Sequence, residues 1–239
     1  MNNYRSSAEL KASAKEHMFG HYGTAIGAYL LVTFGTGIFT LMVLSLTGDT
    51  STLIGTCIYI MTAFALSVLR GLFTSGITYF YLKIVCGQYV TTGDVFYGFR
   101  FYPEKALRIQ AWISLLIYIG SIPEFAAIYQ LPTRPEAADY IPYLLCSALS
   151  SLISFVLGLF YAQAFFLLHD FPQYSAVELL SSSRKLMRGH KLKLFYIHIS
   201  FVPLFLLSVL SCGIAMLWIV PYMNATLTEF YLDLIKNRQ

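Results

Sequence analysis

Long uncharged runs alternate along this chain with short segments that hold nearly all of its Lys and Arg. The first run is Tyr22 to Gly48. The second is Thr50 to Leu82, interrupted only by Arg70. The third, Ile109 to Tyr129, contains Pro123 and Glu124. The fourth is Tyr140 to Leu168, and in the last, Leu194 to Thr228, only His198 can carry charge. A helix needs about 20 apolar residues to cross a bilayer. The last run therefore suits two helices folded back at Ser211-Cys212-Gly213, and the pattern predicts six spans near residues 24–46, 54–82, 106–129, 143–168, 193–210 and 213–233. The expected fold is an all-α polytopic membrane helix bundle in one domain, 1–239. Gly71 and Gly76 are the places where the long second run would break.

Composition agrees with this pattern. Apolar residues are 57%, charged residues 12% and the mean hydropathy is +0.64, whereas soluble domains are about 25% charged. The amino-terminal stretch Tyr4-Arg5-Ser6-Ser7-Ala8-Glu9 is too polar for a secretory h-region, and no cleaved leader is expected.

Orientation follows from the cations, since Lys and Arg are retained on the cytoplasmic side. Arg5, Lys11 and Lys15 precede the first run. Lys83, Arg100, Lys105 and Arg108 follow the second; Arg184, Lys185, Arg188, Lys191 and Lys193 follow the fourth; Lys236 and Arg238 close the chain. On the opposite side the loop around Asp49 and the Ser211 turn have none, and the loop from Gln130 to Asp139 has Arg134. Both termini are expected in the cytoplasm, with the protein in the plasma membrane.

Two cytoplasmic segments are expected to be helical, residues 6–21 and 175–189. Ser6-x-x-Glu9 and Ser175-x-x-Glu178 match the capping box, in which hydroxyl and carboxylate satisfy the free amides of a helix start. After the second box, Ala176, Leu179, Leu180, Ser183, Leu186 and Met187 share one face, with Glu178, Ser182, Lys185 and Arg188 opposite. That is the spacing of an amphipathic helix lying on a membrane or on other helices. Thr91 to Arg100 has a shorter apolar side of Val95, Phe96 and Phe99. Arg184, Lys185, Arg188, Lys191 and Lys193 are the candidate contacts for anionic lipid headgroups. Aromatic residues lie in the apolar runs rather than among the cations, which disfavours nucleic acid as a partner.

No metal, cofactor or catalytic site is expected. Cys57, Cys86, Cys146 and Cys212 form no C-x-x-C pair, and phosphate-loop, nucleophile-elbow and dinucleotide fingerprints do not occur. His17 and His21 are four apart, but two ligands do not make a zinc site. The chemistry-bearing candidates are polar groups within apolar runs, because a charge in lipid must be paired or hydrated: Arg70, Glu124, Gln163, Asn224 and Glu229. Arg70 has two readings. Either it pairs with an anionic substrate group, Glu124 or Glu229, or the helix breaks at Gly71 and the side chain snorkels to the headgroups. Tyr222, Thr226, Glu229 and Asp233 share one stripe, which either lines an entrance or pairs with Arg184 and Arg188, or marks the emergence of the helix into water. Ser147, Ser151, Ser154, Gly158 and Tyr161, and Gly23-x-x-x-Gly27, read as packing faces.

Ser6-Ser7-Ala8-Glu9-Leu10-Lys11, Tyr22-Gly23-Thr24-Ala25-Ile26-Gly27, Gly93-Asp94-Val95-Phe96-Tyr97-Gly98-Phe99, Ala176 to Gly189 with His190-Lys191, and Leu217-Trp218-Ile219-Val220-Pro221-Tyr222-Met223-Asn224-Ala225-Thr226 resemble the bacterial integral-membrane family catalogued as domain of unknown function nine-seventy-five. The polar region Ile122 to Tyr143 departs from it. The resemblance implies a multi-span membrane protein and supplies no catalytic residue. The expected function is that of a non-enzymatic scaffold, regulator or envelope-maintenance factor working through a basic inner face on lipid, a protein partner or a second copy of itself. The alternative is a transporter or channel component for a small solute or lipid.

Overall fold

A computed structural model describes residues 4–46, 53–130, 132 and 136–237; Arg134 and the loop around Asp49 lie outside them. The described residues form helices and turns with no strand. In chain order the helices are α1 (Ser7–Met18), α2 (Tyr22–Leu46), α3 (Leu53–Val85), α4 (Tyr97–Arg100), α5 (Pro103–Gly120), α6 (Ile122–Tyr129), α7 (Tyr140–Tyr161), α8 (Ala164–Asp170), α9 (Ala176–Leu186), α10 (Lys191–Ile199), α11 (Val202–Leu210) and α12 (Met216–Lys236). Four stretches are long and apolar enough to cross a membrane: Tyr22–Met42, Ile54–Val85, Ala137–Asp170 and Lys191–Leu210. The pair α5 and α6, bent by 45°, makes a fifth if it is one span. The protein is thus an all-α membrane helix bundle.

The sixth expected span, 213–233, is a helix of different character. From Ile219 to Leu234 helix α12 buries Thr226, Thr228, Glu229 and Asp233 as well as its apolar residues. Polar side chains lower its average hydropathy because it is wrapped by protein rather than by lipid. The hairpin before it turns at Cys212 and Gly213, both with positive φ (50° and 87°).

Helix α3 shows how the bundle divides. From Ile54 to Arg70 its apolar side chains are largely open, Ile54, Ile58, Met61 and Leu69 among them. From Gly71 to Val85 most of its residues are buried. The division runs through the whole molecule. The open half comprises the carboxyl-terminal part of α2, the carboxyl-terminal part of α5 with α6, α7, α11 and the start of α12. The packed half comprises α1, the end of α3, α4, α8, α9, α10 and most of α12, and holds almost all of the large buried side chains, such as Phe80, Leu168, Leu179, Met187 and Tyr231.

Gly71 and Gly76 do not break α3, which is continuous from Leu53 to Val85. They are sites of close approach instead. A Cβ on Gly71 would stand 2.5 Å from Cβ of Gln110 on α5, and one on Gly76 would stand 1.7 Å from the Val95 carbonyl oxygen. Gly98 repeats the arrangement in reverse, with the Leu72 carbonyl 2.2 Å from where its Cβ would be. Gly76 and Gly98 let the Thr91–Arg100 segment lie against α3, where Lys83 also bonds Asp94 at 3.0 Å. The expected small-residue stripe of α7 packs only in part, with Ser147, Ser154 and Tyr161 half-buried. Ser151 and Gly158 are exposed, and α7 meets α5 through buried Ser150, which donates to the Gly120 carbonyl, and through Ile153. Gly27 approaches Thr92 whereas Gly23 is open.

Both capping boxes form. Ser6 caps α1 with Glu9 returning to the Ser6 amide, and Ser175 with Glu178 does the same for α9. Those amide and hydroxyl bonds hold each carboxyl below its ordinary pKa. Ala176, Leu179, Leu180, Ser183, Leu186 and Met187 are buried against other helices of the chain, so α9 is a docked element of the packed half.

Candidate functional site

Two arrangements of charge stand out, one interior and one peripheral. The interior one is centred on Glu229 and Asp233, one turn apart on α12, with side chains each 3% exposed. Arg5, just ahead of α1, donates from Nη2 to Glu229 Oε2 at 2.6 Å, and its Nε lies 3.7 Å from Asp233 Oδ1. Ser13 Oγ donates to Glu229 Oε1 at 2.9 Å. His17 Nδ1 lies 2.8 Å from the same oxygen, at ion-pair distance but without hydrogen-bond alignment. Lys193 of α10 donates to Asp233 Oδ2 at 2.9 Å. Ser13 and His17 reach the same carboxylate because they are four apart on α1. A cavity of about 340 Å³ lies beside the cluster, bounded by Arg5, His17, Glu229 and Lys236. The cluster joins α1, α10 and α12, and brings the two ends of the described chain together.

This corrects three expectations. Glu229 is the partner of Arg5, not of Arg70. The carboxylates of the α12 stripe pair with Arg5 and Lys193, not with Arg184 and Arg188. Lys193 is committed to Asp233 inside the protein and is not available to headgroups. Arg5 and His17, decisive here, carried no sequence signal beyond their charge, because the contact joins positions 224 residues apart.

The peripheral arrangement is a layer of cations where the open and packed halves meet. Arg70 is exposed at the last position of the open stretch of α3. It lines a groove with Arg100, Phe39, Phe73 and Phe99. Arg108 borders a second groove with Trp112 and Leu115. Arg184 lies over the Tyr161 ring at 5.8 Å and Lys191 over Phe160 at 3.3 Å. Lys11 lies 4.2 Å from the centre of the Phe201 ring and donates to the Ser200 carbonyl at 3.0 Å. Its partial burial lowers the pKa of this ammonium. Lys185 and Arg188 are exposed on α9. Lys11, Arg184 and Lys191 each lie over an aromatic ring.

The remaining candidates are dispersed. Glu124 sits in the first turn of α6, in the open half, and among the described residues it has no ion pair. Asn224 donates to the Val220 carbonyl at 3.1 Å and meets the Tyr81 hydroxyl. Gln163 is buried at the break between α7 and α8. Its amide nitrogen faces Met187 sulfur at 3.5 Å, while Oε1 is buried with no hydrogen-bond partner among the described residues. A cavity of about 280 Å³ adjoins it, lined also by Phe155 and His198. His169 donates from Nε2 to the Ser75 carbonyl at 2.9 Å and lies beside the stacked rings of Tyr79 and Tyr97. Tyr231 donates to Asp170. The structure therefore brings Glu229 into a cluster with residues other than those expected, and brings Arg70 to Arg100.

No curated protein and no solved structure matches the chain. A family model described as protein of unknown function (DUF975) matches residues 1–238, over the same helices that carry the capping boxes, the interior cluster and the cationic layer, and the chain belongs to that family.

Proposed function

We propose that the protein is a non-enzymatic multi-pass protein of a bacterial cytoplasmic membrane, a scaffold or regulator in envelope maintenance that works through its basic inner face. The cationic layer at the junction of the two halves carries this reading. If the inner headgroups lie at the level of Arg70, the open part of α3 below it spans about 26 Å at 1.5 Å per residue. That is close to the ~30 Å hydrocarbon core of a bilayer. In this reading α2, α3, α5 with α6, and α7 cross the membrane. The open arms of the α11–α12 hairpin are about 13 Å long by the same rise, so the hairpin enters and leaves on the cationic side. Contact between Arg5 and Asp233 joins the two ends of the described chain, which supports both termini lying on one side.

The interior charges favour a scaffold because each is used in holding helices together: Glu229 and Asp233 by Arg5, Ser13 and Lys193, and Asp94 by Lys83. The packed half then presents Lys185 and Arg188 above the headgroups, where a protein partner or a second copy can be held. The test is purification in native lipid followed by mass spectrometry of what remains bound. Stable retention of a protein partner supports the scaffold; enrichment of one soluble metabolite contradicts it.

One observation favours the transporter reading, the unbonded Gln163 Oε1 beside its cavity. There the metabolite would be retained by the wild type and lost in Gln163→Leu.

A further inference from the structure

The groove between α2, α3 and the Thr91–Arg100 segment joins two guanidinium groups to an apolar trough. Its volume is about 500 Å³, within the ~300–1,000 Å³ range of small-ligand sites. Its walls are Phe39 of α2, Leu69 and Phe73 of α3 and Phe99 of α4, with Arg70 and Arg100 at the rim. The Phe73 and Phe99 rings meet edge to face at 4.9 Å, so the trough has a fixed aromatic side. The position of Arg100 is set by the glycine contacts, because Gly98 lies on the Leu72 carbonyl and Gly76 on that of Val95.

Neither arginine has an acidic partner among the described residues. The carboxylate of the same segment, Asp94, is taken by Lys83 Nζ and by the Thr91 amide, at 3.0 and 2.7 Å. Burial works to raise the Asp94 pKa, but these bonds outweigh it and hold the group ionised. Two guanidiniums without counter-charge beside an apolar trough match an amphiphile with an anionic head. A guanidinium binds phosphate oxygens through a planar fork of donors.

We propose that this groove is a binding site for one anionic glycerophospholipid, its phosphate between Arg70 and Arg100 and an acyl chain along Phe39, Leu69 and Phe73. The site rests on the membrane orientation proposed above, with Arg70 at headgroup level.

The experiment is native mass spectrometry of the full chain, exchanged into nanodiscs containing equal phosphatidylglycerol and phosphatidylcholine, for the wild type, R70Q/R100Q and K185Q/R188Q. Retained phosphatidylglycerol falls about thirtyfold in R70Q/R100Q, the size expected for two interfacial cations at about 1 kcal/mol each, and is nearly unchanged in K185Q/R188Q. Equal losses in the two variants would overturn the groove while leaving a general basic face intact. No preference for phosphatidylglycerol in the wild type would overturn both. Displacement of the lipid by millimolar inorganic phosphate would show a soluble anion site and overturn the lipid assignment. Leu69→Trp, which fills the trough and keeps both charges, gives a second reading: it lowers retention if the acyl chain lies there, and unchanged retention counts against the site.

Discussion

Removing Glu229 isolates what the interior cluster contributes to the fold. Glu229→Ala deletes a carboxylate with a 3% exposed side chain, and leaves the Arg5 guanidinium, the Ser13 hydroxyl and His17 without their acceptor. At a separation of ~4 Å and an effective dielectric constant of ~20, the Arg5–Glu229 attraction is about 4 kcal/mol before desolvation. Arg5 is 37% exposed, and solvent screening reduces the net coupling to about 1–2 kcal/mol. Loss of Glu229 costs about 1–2 kcal/mol, because the Ser13 hydroxyl loses its acceptor while Arg5 and His17, 37% and 38% exposed, regain water. Arg5→Ala costs more, about 3 kcal/mol, because the Glu229 carboxylate, 3% exposed, is left without its guanidinium. Urea unfolding in detergent, followed by the fluorescence of Trp112 and Trp218, measures both variants and the double variant. The double variant should be less destabilised than the sum of the singles by about 1–2 kcal/mol. Additivity within about 0.5 kcal/mol would refute the idea that this pair couples α1 to α12.

Three further outcomes follow from the same structure. Gly76→Ala and Gly98→Ala each force a Cβ into a carbonyl oxygen and should cost about 1–3 kcal/mol, whereas Gly158→Ala, with open space around it, should be neutral or stabilising by up to about 1 kcal/mol; thermal unfolding of the three separates them. Ser175→Ala removes the cap of α9 and should lower stability by about 1 kcal/mol, visible as earlier proteolysis of the α8–α9 turn. Burial and the Lys193 charge hold the His190 pKa below its ordinary value, so the unfolded chain takes the proton more readily; this contribution is whole above about pH 6.5 and lost as the pH falls. In His190→Gln the difference in urea midpoint between pH 7 and pH 5 should shrink, and an unchanged difference would show that His190 does not contribute.

Local chemistry was the legible part of this protein. Ser6 with Glu9 and Ser175 with Glu178 declare helix starts because a capping box involves neighbours in sequence. The turn at Ser211-Cys212-Gly213 is legible for the same reason, as is the buried face of α9, which follows from helical spacing alone. What periodicity omits is the partner. Glu229 and Asp233 share a stripe that is visible in the sequence, yet their dependence on Arg5 and Lys193 arises only when α1 and α10 dock on α12. Gly71 and Gly76 were misread as breaks because glycine marks a kink and a close backbone approach with the same letter. Arg70 has two readings in the sequence because nothing in the run shows where the open stretch of α3 gives way to the packed one; that transition comes where the Thr91–Arg100 segment and the start of α5 pack against α3 from Gly71 onward.

The native cysteines give the most direct test of the proposed division into a lipid-facing half and a packed, cytoplasmic half. Cys86 lies just beyond α3 at the packed end and Cys212 at the tip of the α11–α12 hairpin, both exposed. A nitroxide on each, in single-cysteine protein reconstituted into bilayers, reports access to a polar and an apolar relaxing agent. The account predicts that the label at Cys86 responds to the polar agent and that at Cys212 to dissolved oxygen, as in hydrocarbon. A Cys212 label open to the polar agent, or a Cys86 label shielded from it, would contradict it.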